Sequence, residues 1–372
     1  MLLRPAVITA SAMSLLLAAA VVHAASASGD VKIGSAHAIV VDEATGEVLF
    51  DKNAGTTAPI ASLTKLMTAM VVLDAKQDPQ EELRIEEADT DRLKHTRSGV
   101  PVGAVLTRTA LLELALMASD NRAAAALARN YPGGHAAFNK AVRRKITALA
   151  MTSTTIEEPT GLSPHNVSNA QDMAKLLRAA AGYAEISRIT SLYRHTTLVN
   201  GEPREVRNTN WLLGEPGWEI LLSKTGFTRE AGRCLTMRMR TGGRTVLMVL
   251  MGAGGSAERI LDAVNIRRWL GGAASALGIA AAPAAPATRR LAHTARPAAR
   301  ITPMLVARAG GYRRGDGALQ PTPEQLAALA AAAEAAESQE GGGEEAPAEG
   351  DAPVAEEPAA IDTTAPAGDE GE

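Results

Sequence analysis

The hydrophobic pattern of this 372-residue chain changes its period as it proceeds. Residues 38–41 and 47–50 read as strands on either side of Asp42-Glu43-Ala44-Thr45-Gly46, a turn-rich link that predicts an antiparallel hairpin. Three more strands are expected late in the chain, at 218–223, 233–239 and 245–251. Glycine-bearing links at 226–232 and at Gly242-Gly243 join them, as in a meander. Between the two strand groups apolar residues recur at helical spacing over 63–75, 108–117, 122–129, 136–149 and 170–181, and an amphipathic helix over 256–270 closes the pattern. Strands from both ends with helices between them predict an α+β domain: one antiparallel sheet flanked by helices, with a mostly helical subdomain. The two ends of the domain should meet in that sheet.

Composition sets the limits of this domain. Arg4, an apolar stretch over 14–22 and the small-residue site Val22-His23-Ala24 read as a secretory signal over 1–24, cleaved on export to the periplasm. The apolar run, broken by Ser11, Ser14 and His23, falls short of the ~20 residues that span a bilayer, which disfavours a retained anchor. Residues 30–272 mix apolar, charged and turn residues in globular proportions and are numerous enough to bury a core. Beyond Gly271-Gly272 the chain turns to Ala and Pro. Residues 273–372 hold seven Arg and fifteen Asp or Glu with few aromatic or β-branched residues, so little surface is available to offset ordering entropy. A disordered tail is expected there, first basic (Arg289 to Arg314), then acidic (344–372), with one short helix over 323–337. Its basic part could touch anionic wall polymers; a solvated spacer without a dedicated partner is the simpler reading.

The tail's net −8 against the chain's −3 leaves +5 on residues 1–272. That excess suits an anionic substrate surface but is too small, and too free of interleaved aromatics, for nucleic-acid binding. The single Cys234 rules out an internal disulfide, and its place in a predicted central strand implies a buried, inert thiol. The histidines show no metal-ligand spacing. Neither a metal nor a cofactor is expected.

Three short motifs carry the chemistry: Ser62-Leu63-Thr64-Lys65, Ser119-Asp120-Asn121 and Lys224-Thr225-Gly226. Ser62 is expected in the first turn of a buried helix, with Lys65 one turn on and on the same face. A serine hydroxyl needs an adjacent base, and a lysine serves only when neutral; burial and a second cation, Lys224, would lower its pKa. Ser119-Asp120-Asn121 interrupts two helices, where Asp or Asn can cap the second. The Ser119 hydroxyl is placed to relay a proton, and the Asn121 carboxamide to bond a substrate amide carbonyl. Lys224-Thr225-Gly226 is expected to close a strand, with Lys224 and Thr225 binding a carboxylate and Gly226 letting a substrate backbone lie close. The backbone amides of Ser62 and Phe227 are the candidate oxyanion donors.

At these residues the chain resembles the low-molecular-mass penicillin-binding proteins, the serine D-alanyl-D-alanine peptidases of family S11, over roughly 35–270. Longer stretches are similar to the endopeptidase branch: Ala61 to Met70, Asn130-Tyr131-Pro132-Gly133-Gly134, Glu158-Pro159-Thr160-Gly161-Leu162-Ser163, and Ser223 to Phe227 followed by Glu230-Ala231-Gly232. The resemblance implies a β-lactamase/transpeptidase-like fold. It also implies Ser62 as nucleophile, Lys65 as base, Ser119 and Asn121 as second-motif residues, and Lys224 as carboxylate ligand. Peptidoglycan stem peptides are the implied substrates and β-lactams the implied inhibitors. Asp120 departs from the Glu of the endopeptidase branch, and Asn166 and Ser168 read as loop-fixing polar residues. The implied reaction is cleavage of D-Ala to diaminopimelate cross-links, with D-Ala-D-Ala carboxypeptidase action as the alternative. A class A β-lactamase would need a deacylating Glu, and Glu157-Glu158-Pro159-Thr160-Gly161 does not resemble the loop that carries it. An inactive wall-binding scaffold is disfavoured by three intact motifs.

Overall fold

The computed structural model describes residues 31–276, together with the isolated positions Ala328 and Ala331, both helical. The expected signal at 1–24 and the rest of the tail lie outside the described residues. Both predicted strand groups form. They give β1 (His37–Asp42), β2 (Val48–Lys52), β3 (Glu219–Thr228), β4 (Gly232–Thr241) and β5 (Arg244–Ala253). These build one five-stranded sheet in the order β2-β1-β5-β4-β3. Every pairing is antiparallel. The first and last strands meet as expected, His37 opposite Met251 through to Asp42 opposite Val246. That order leaves β3 on an edge.

Helices α1 (Thr64–Asp74), α2 (Arg108–Met117), α3 (Asn121–Arg129), α4 (Gly134–Ala148), α5 (Ala170–Ala180), α6 (Ala184–Thr190) and α7 (Ser256–Ala276) complete the domain. Side-chain oxygens of Thr107, Asp120 and Asn169 cap α2, α3 and α5, satisfying N–H groups that have no partner within a helix. Alternation along β5 divides the core. Leu247, Val249 and Met251 pack with α1, α2 and α5, whereas Val246, Met248 and Leu250 pack with Ile260, Val264 and Ile266 of α7. Helix α1 is buried on all sides from Thr64 to Val72, as expected of a helix apolar all round. Cys234 is buried too, and burial pushes its thiol pKa up to about 11, as an inert thiol requires. Among the described residues no helix is long and apolar enough to cross a membrane.

Two expected placements are corrected. Ser62 lies in a 3-10 turn, Ala61–Leu63, that leads into α1, not inside the α-helix. The third motif does not close its strand: β3 continues through Thr228, with Lys224 opposite Thr236 and Gly226 opposite Cys234. Helix α6 and the ribbon of Arg194–Val199 with Glu202–Arg207 have no counterpart among the predicted elements.

Candidate active site

The turn that carries Ser62 is gripped between two glycines. Gly161 adopts φ +91°, and a Cβ there would sit 1.9 Å from the Ala61 carbonyl oxygen. Gly226, in β3, would place a Cβ 3.0 Å from the Ser62 amide nitrogen. The glycine of the third motif therefore allows the strand edge to approach the Ser62 turn. Ala61 itself is held at φ +46°, a left-handed conformation that an alanine keeps only where its surroundings impose it. The Ile60 amide donates to the Asn166 carbonyl at 3.0 Å and ties the turn to the loop over 157–166.

Lys65 is 1% exposed. Its Nζ donates to Ser62 Oγ at 2.8 Å, Asn121 Oδ1 at 2.6 Å and the Thr160 carbonyl at 2.8 Å. Burial lowers its pKa to about 8, against the opposing pull of Glu158, Asp120 and Asp91. Burial, one of the two causes expected from the sequence, supplies the depression. Asn121 is also placed differently from expectation. Its Oδ1 accepts from Lys65, and its Nδ2 donates to Thr96 Oγ1 at 2.8 Å, so both ends of the carboxamide are engaged within the protein.

Ser119 joins α2 to α3 at φ +59°, a strained turn that puts its hydroxyl on β3. Lys224, itself 1% exposed, donates to Ser119 Oγ at 2.9 Å and to the Thr225 carbonyl at 2.9 Å. The second and third motifs are thus bonded across the cleft. The Thr225 hydroxyl shares a hydrogen with Thr209 at 2.6 Å. Phe227 is 46% exposed, and the Arg233 guanidinium lies 3.6 Å from its ring centroid.

Ser62, Ser119, Asn121, Thr225, Gly226 and Phe227 line one cleft of about 540 Å³. Thr96, Arg97, Arg204 and Thr209 line it as well and escaped sequence reasoning. Arg97 and Arg204 were readable only as a mild excess of positive charge. Asp120 fastens the 91–100 segment to the second motif, its Oδ2 accepting from the Ser98 hydroxyl at 2.8 Å and the Gly99 amide at 3.2 Å. Lys94 of the same segment pairs with Glu230, in the link between β3 and β4, at 2.6 Å.

Residues 21–255 match the family model described as D-alanyl-D-alanine carboxypeptidase, peptidase S11. The chain belongs to peptidase family S11. Within that family it is 44% identical over 274 residues to a D-alanyl-D-alanine endopeptidase of Pseudomonas aeruginosa, covering 70% of this chain and 87% of the relative. It is 41% identical over 249 residues to a D-alanyl-D-alanine endopeptidase of Escherichia coli, covering 66% and 80%. The DD-transpeptidase of Streptomyces strain K15 shares the fold with TM-score 0.60 and 26% identity, covering 65% of this chain and 98% of that one. So does penicillin-binding protein D2 of Listeria monocytogenes, solved with cefotaxime bound, with TM-score 0.58 and 29% identity over 64% of this chain and 98% of that one.

This S11 chain also shows where Glu158 sits. Its carboxylate accepts from the Thr160 amide and hydroxyl at 2.7 and 2.6 Å, the Gly161 amide at 2.6 Å and Asn166 Nδ2 at 3.0 Å. It holds the loop that presents the Thr160 carbonyl to Lys65. Asn166 is wholly buried and donates further to Thr64 Oγ1 at 3.2 Å.

Proposed function

We propose that this chain is a penicillin-sensitive serine D,D-peptidase of the periplasm that cuts D-Ala to diaminopimelate cross-links through a Ser62 acyl-enzyme. One observation carries the reading: a serine hydroxyl 2.8 Å from a buried lysine whose pKa is lowered to about 8. About a tenth of Lys65 is then neutral at pH 7, enough to act as base. Ser62 Oγ attacks the D-Ala carbonyl carbon and passes its proton to Lys65 Nζ. The Ser62 and Phe227 amides bind the oxyanion. As the C–N bond breaks, Ser119, bonded to Lys224, helps return a proton to the leaving amine. Water then cleaves the ester. Lys224 and Thr225 are assigned to a substrate carboxylate, and Gly226 to the close packing of strand and turn. β-Lactams enter the same reaction and acylate Ser62. The saturated hydrogen bonding of Glu158 weighs against β-lactamase action, and identity to two endopeptidases supports cross-link cleavage over terminal trimming.

Purified enzyme incubated with cross-linked muropeptide dimers and with monomeric pentapeptide tests the reading. Loss of dimers with pentapeptide intact is expected; the reverse would make the enzyme a carboxypeptidase, the activity in the family model's description. Ser62→Ala should abolish labelling by fluorescent penicillin, and persistent labelling would sink the assignment.

A further inference from the structure

A carboxamide can be turned either way, and only one orientation of Asn121 offers an oxygen to Lys65. The 91–100 segment decides which. Asp91 Oδ1 accepts from the Leu93 amide at 2.8 Å and the Lys94 amide at 3.1 Å. Its Oδ2 accepts from the Thr96 amide at 2.9 Å and the Thr96 hydroxyl at 2.7 Å. Burial would raise the Asp91 pKa, but the bonds from Thr96, Lys94 and Leu93 outweigh it and hold the group below its usual range. A carboxylate has no proton to give, so Thr96 commits its one hydroxyl hydrogen to Asp91 and keeps only lone pairs. Asn121 must meet those lone pairs with its NH₂, as it does at 2.8 Å. Its oxygen is then left for Lys65 at 2.6 Å.

We propose that Asp91 is a positioning residue for the catalytic base: through the Thr96 hydroxyl it fixes the Asn121 carboxamide so that an acceptor, not a donor, meets Lys65 Nζ. The proposal rests on the reading of Ser62 as nucleophile and Lys65 as base. The charged groups around Lys65 are Glu158 from the 157–166 loop, Asp120 before α3 and Asp91 from the 91–100 segment, with Lys224 of β3 bonded to the adjoining Ser119. Replacing Asp91 by Asn supplies an NH₂ that can donate to Thr96. The Thr96 hydrogen is then released toward Asn121 Oδ1, and the carboxamide can turn its own NH₂ onto Lys65. Thr96→Val breaks the same relay but keeps the charge of Asp91.

The test follows acylation of the full-length protein by fluorescent penicillin from roughly pH 6 to 10, a window that brackets a lysine lowered by burial. Thr96→Val should acylate about tenfold more slowly, the worth of one hydrogen bond to a charged group, with its pH midpoint moved down because ionised Lys65 loses the Asn121 acceptor. Thr96→Ser, which keeps the hydroxyl, should restore the rate. Asp91→Asn should be slowed and should also move the midpoint to lower pH, because an anion that favours ionised Lys65 is gone. Wild-type rates and profiles in Asp91→Asn and Thr96→Val would overturn the proposal. So would a Thr96→Ser variant as slow as Thr96→Val, which would make the residue a packing element. If Asp91→Asn fails to fold, the Thr96 pair decides by itself. Ser62→Ala separates the two readings: continued labelling removes the nucleophile, whereas loss of labelling beside a fast Thr96→Val removes only the relay.

Discussion

Two irregular segments support Lys65, and they do so by different physics. The 157–166 loop fixes position: Gly161 packs its backbone against the Ala61 carbonyl, and buried Asn166 bonds half-buried Glu158. The 91–100 segment fixes orientation: its hydrogen bonds reach Lys65 through Asn121, and it is anchored by polar side chains, one of them in the partly exposed Lys94–Glu230 pair. Close packing tolerates no change of volume, whereas a polar anchor in contact with water can be exchanged at small cost. The difference teaches that the proposed nucleophile and base have one support that cannot move and one that chooses which atom faces them.

Substitutions can break this contrast, the strongest first. Gly161→Ala should be the most severe, because its Cβ would overlap the Ala61 carbonyl at a φ of +91°. Penicillin acylation should fall by more than a hundredfold and thermal stability by roughly 3 kcal/mol or more; wild-type values would deny that the turn is gripped. Asn166→Ala removes bonds to Thr64 and Glu158 inside the protein. It should cost about 2 to 3 kcal/mol in denaturant titration, the range for unsatisfied buried groups.

The pH dependence of acylation sharpens the contrast next. Lys65 acts as base only when neutral and its pKa is about 8, so the rate should rise about tenfold per unit below that pH and level off above it. A flat profile between pH 6 and 9 would remove Lys65 as the base. The smallest effect is expected on the polar side. Lys94→Met breaks a pair whose partners are partly exposed and should change stability by about 1 kcal/mol or less. Glu230 is held near pKa 2 mainly by its bond from Lys94, so titration of Glu230 followed by NMR should show its pKa rise in this variant.

The parts of the molecule with long-range periodicity were readable in the sequence. The five sheet strands, the burial of α1 around Lys65 and the capping Asp120 all follow from alternation, helical spacing or a preferred cap residue. Features set by contact between distant segments were not. Gly226 looked like a strand terminator because a glycine usually weakens a strand; it stays inside β3 because the Ser62 turn arrives from another part of the chain and leaves no room for a side chain. Ser119 gave no sign of its left-handed backbone, and Asn121 none of its double engagement with Lys65 and Thr96. The ribbon over 194–207 is mostly exposed, with Thr197 and Val206 its buried positions, so it lacked the apolar face by which strands are recognised. The 91–100 segment is held by short polar bonds, which leave no period at all.

The pairing of β1 with β5 also sets a clock. About 200 residues separate the partners Asp42 and Val246, so the first strand of the sheet has no neighbour on that side until nearly the whole domain has left the ribosome. At synthesis rates of 5–20 residues per second that is a delay of roughly 10 to 40 seconds. Such long-range closure also slows folding once the chain is complete. For a chain bearing the export signal proposed at its start, the same delay would leave the sheet open while the chain is threaded through a translocation channel.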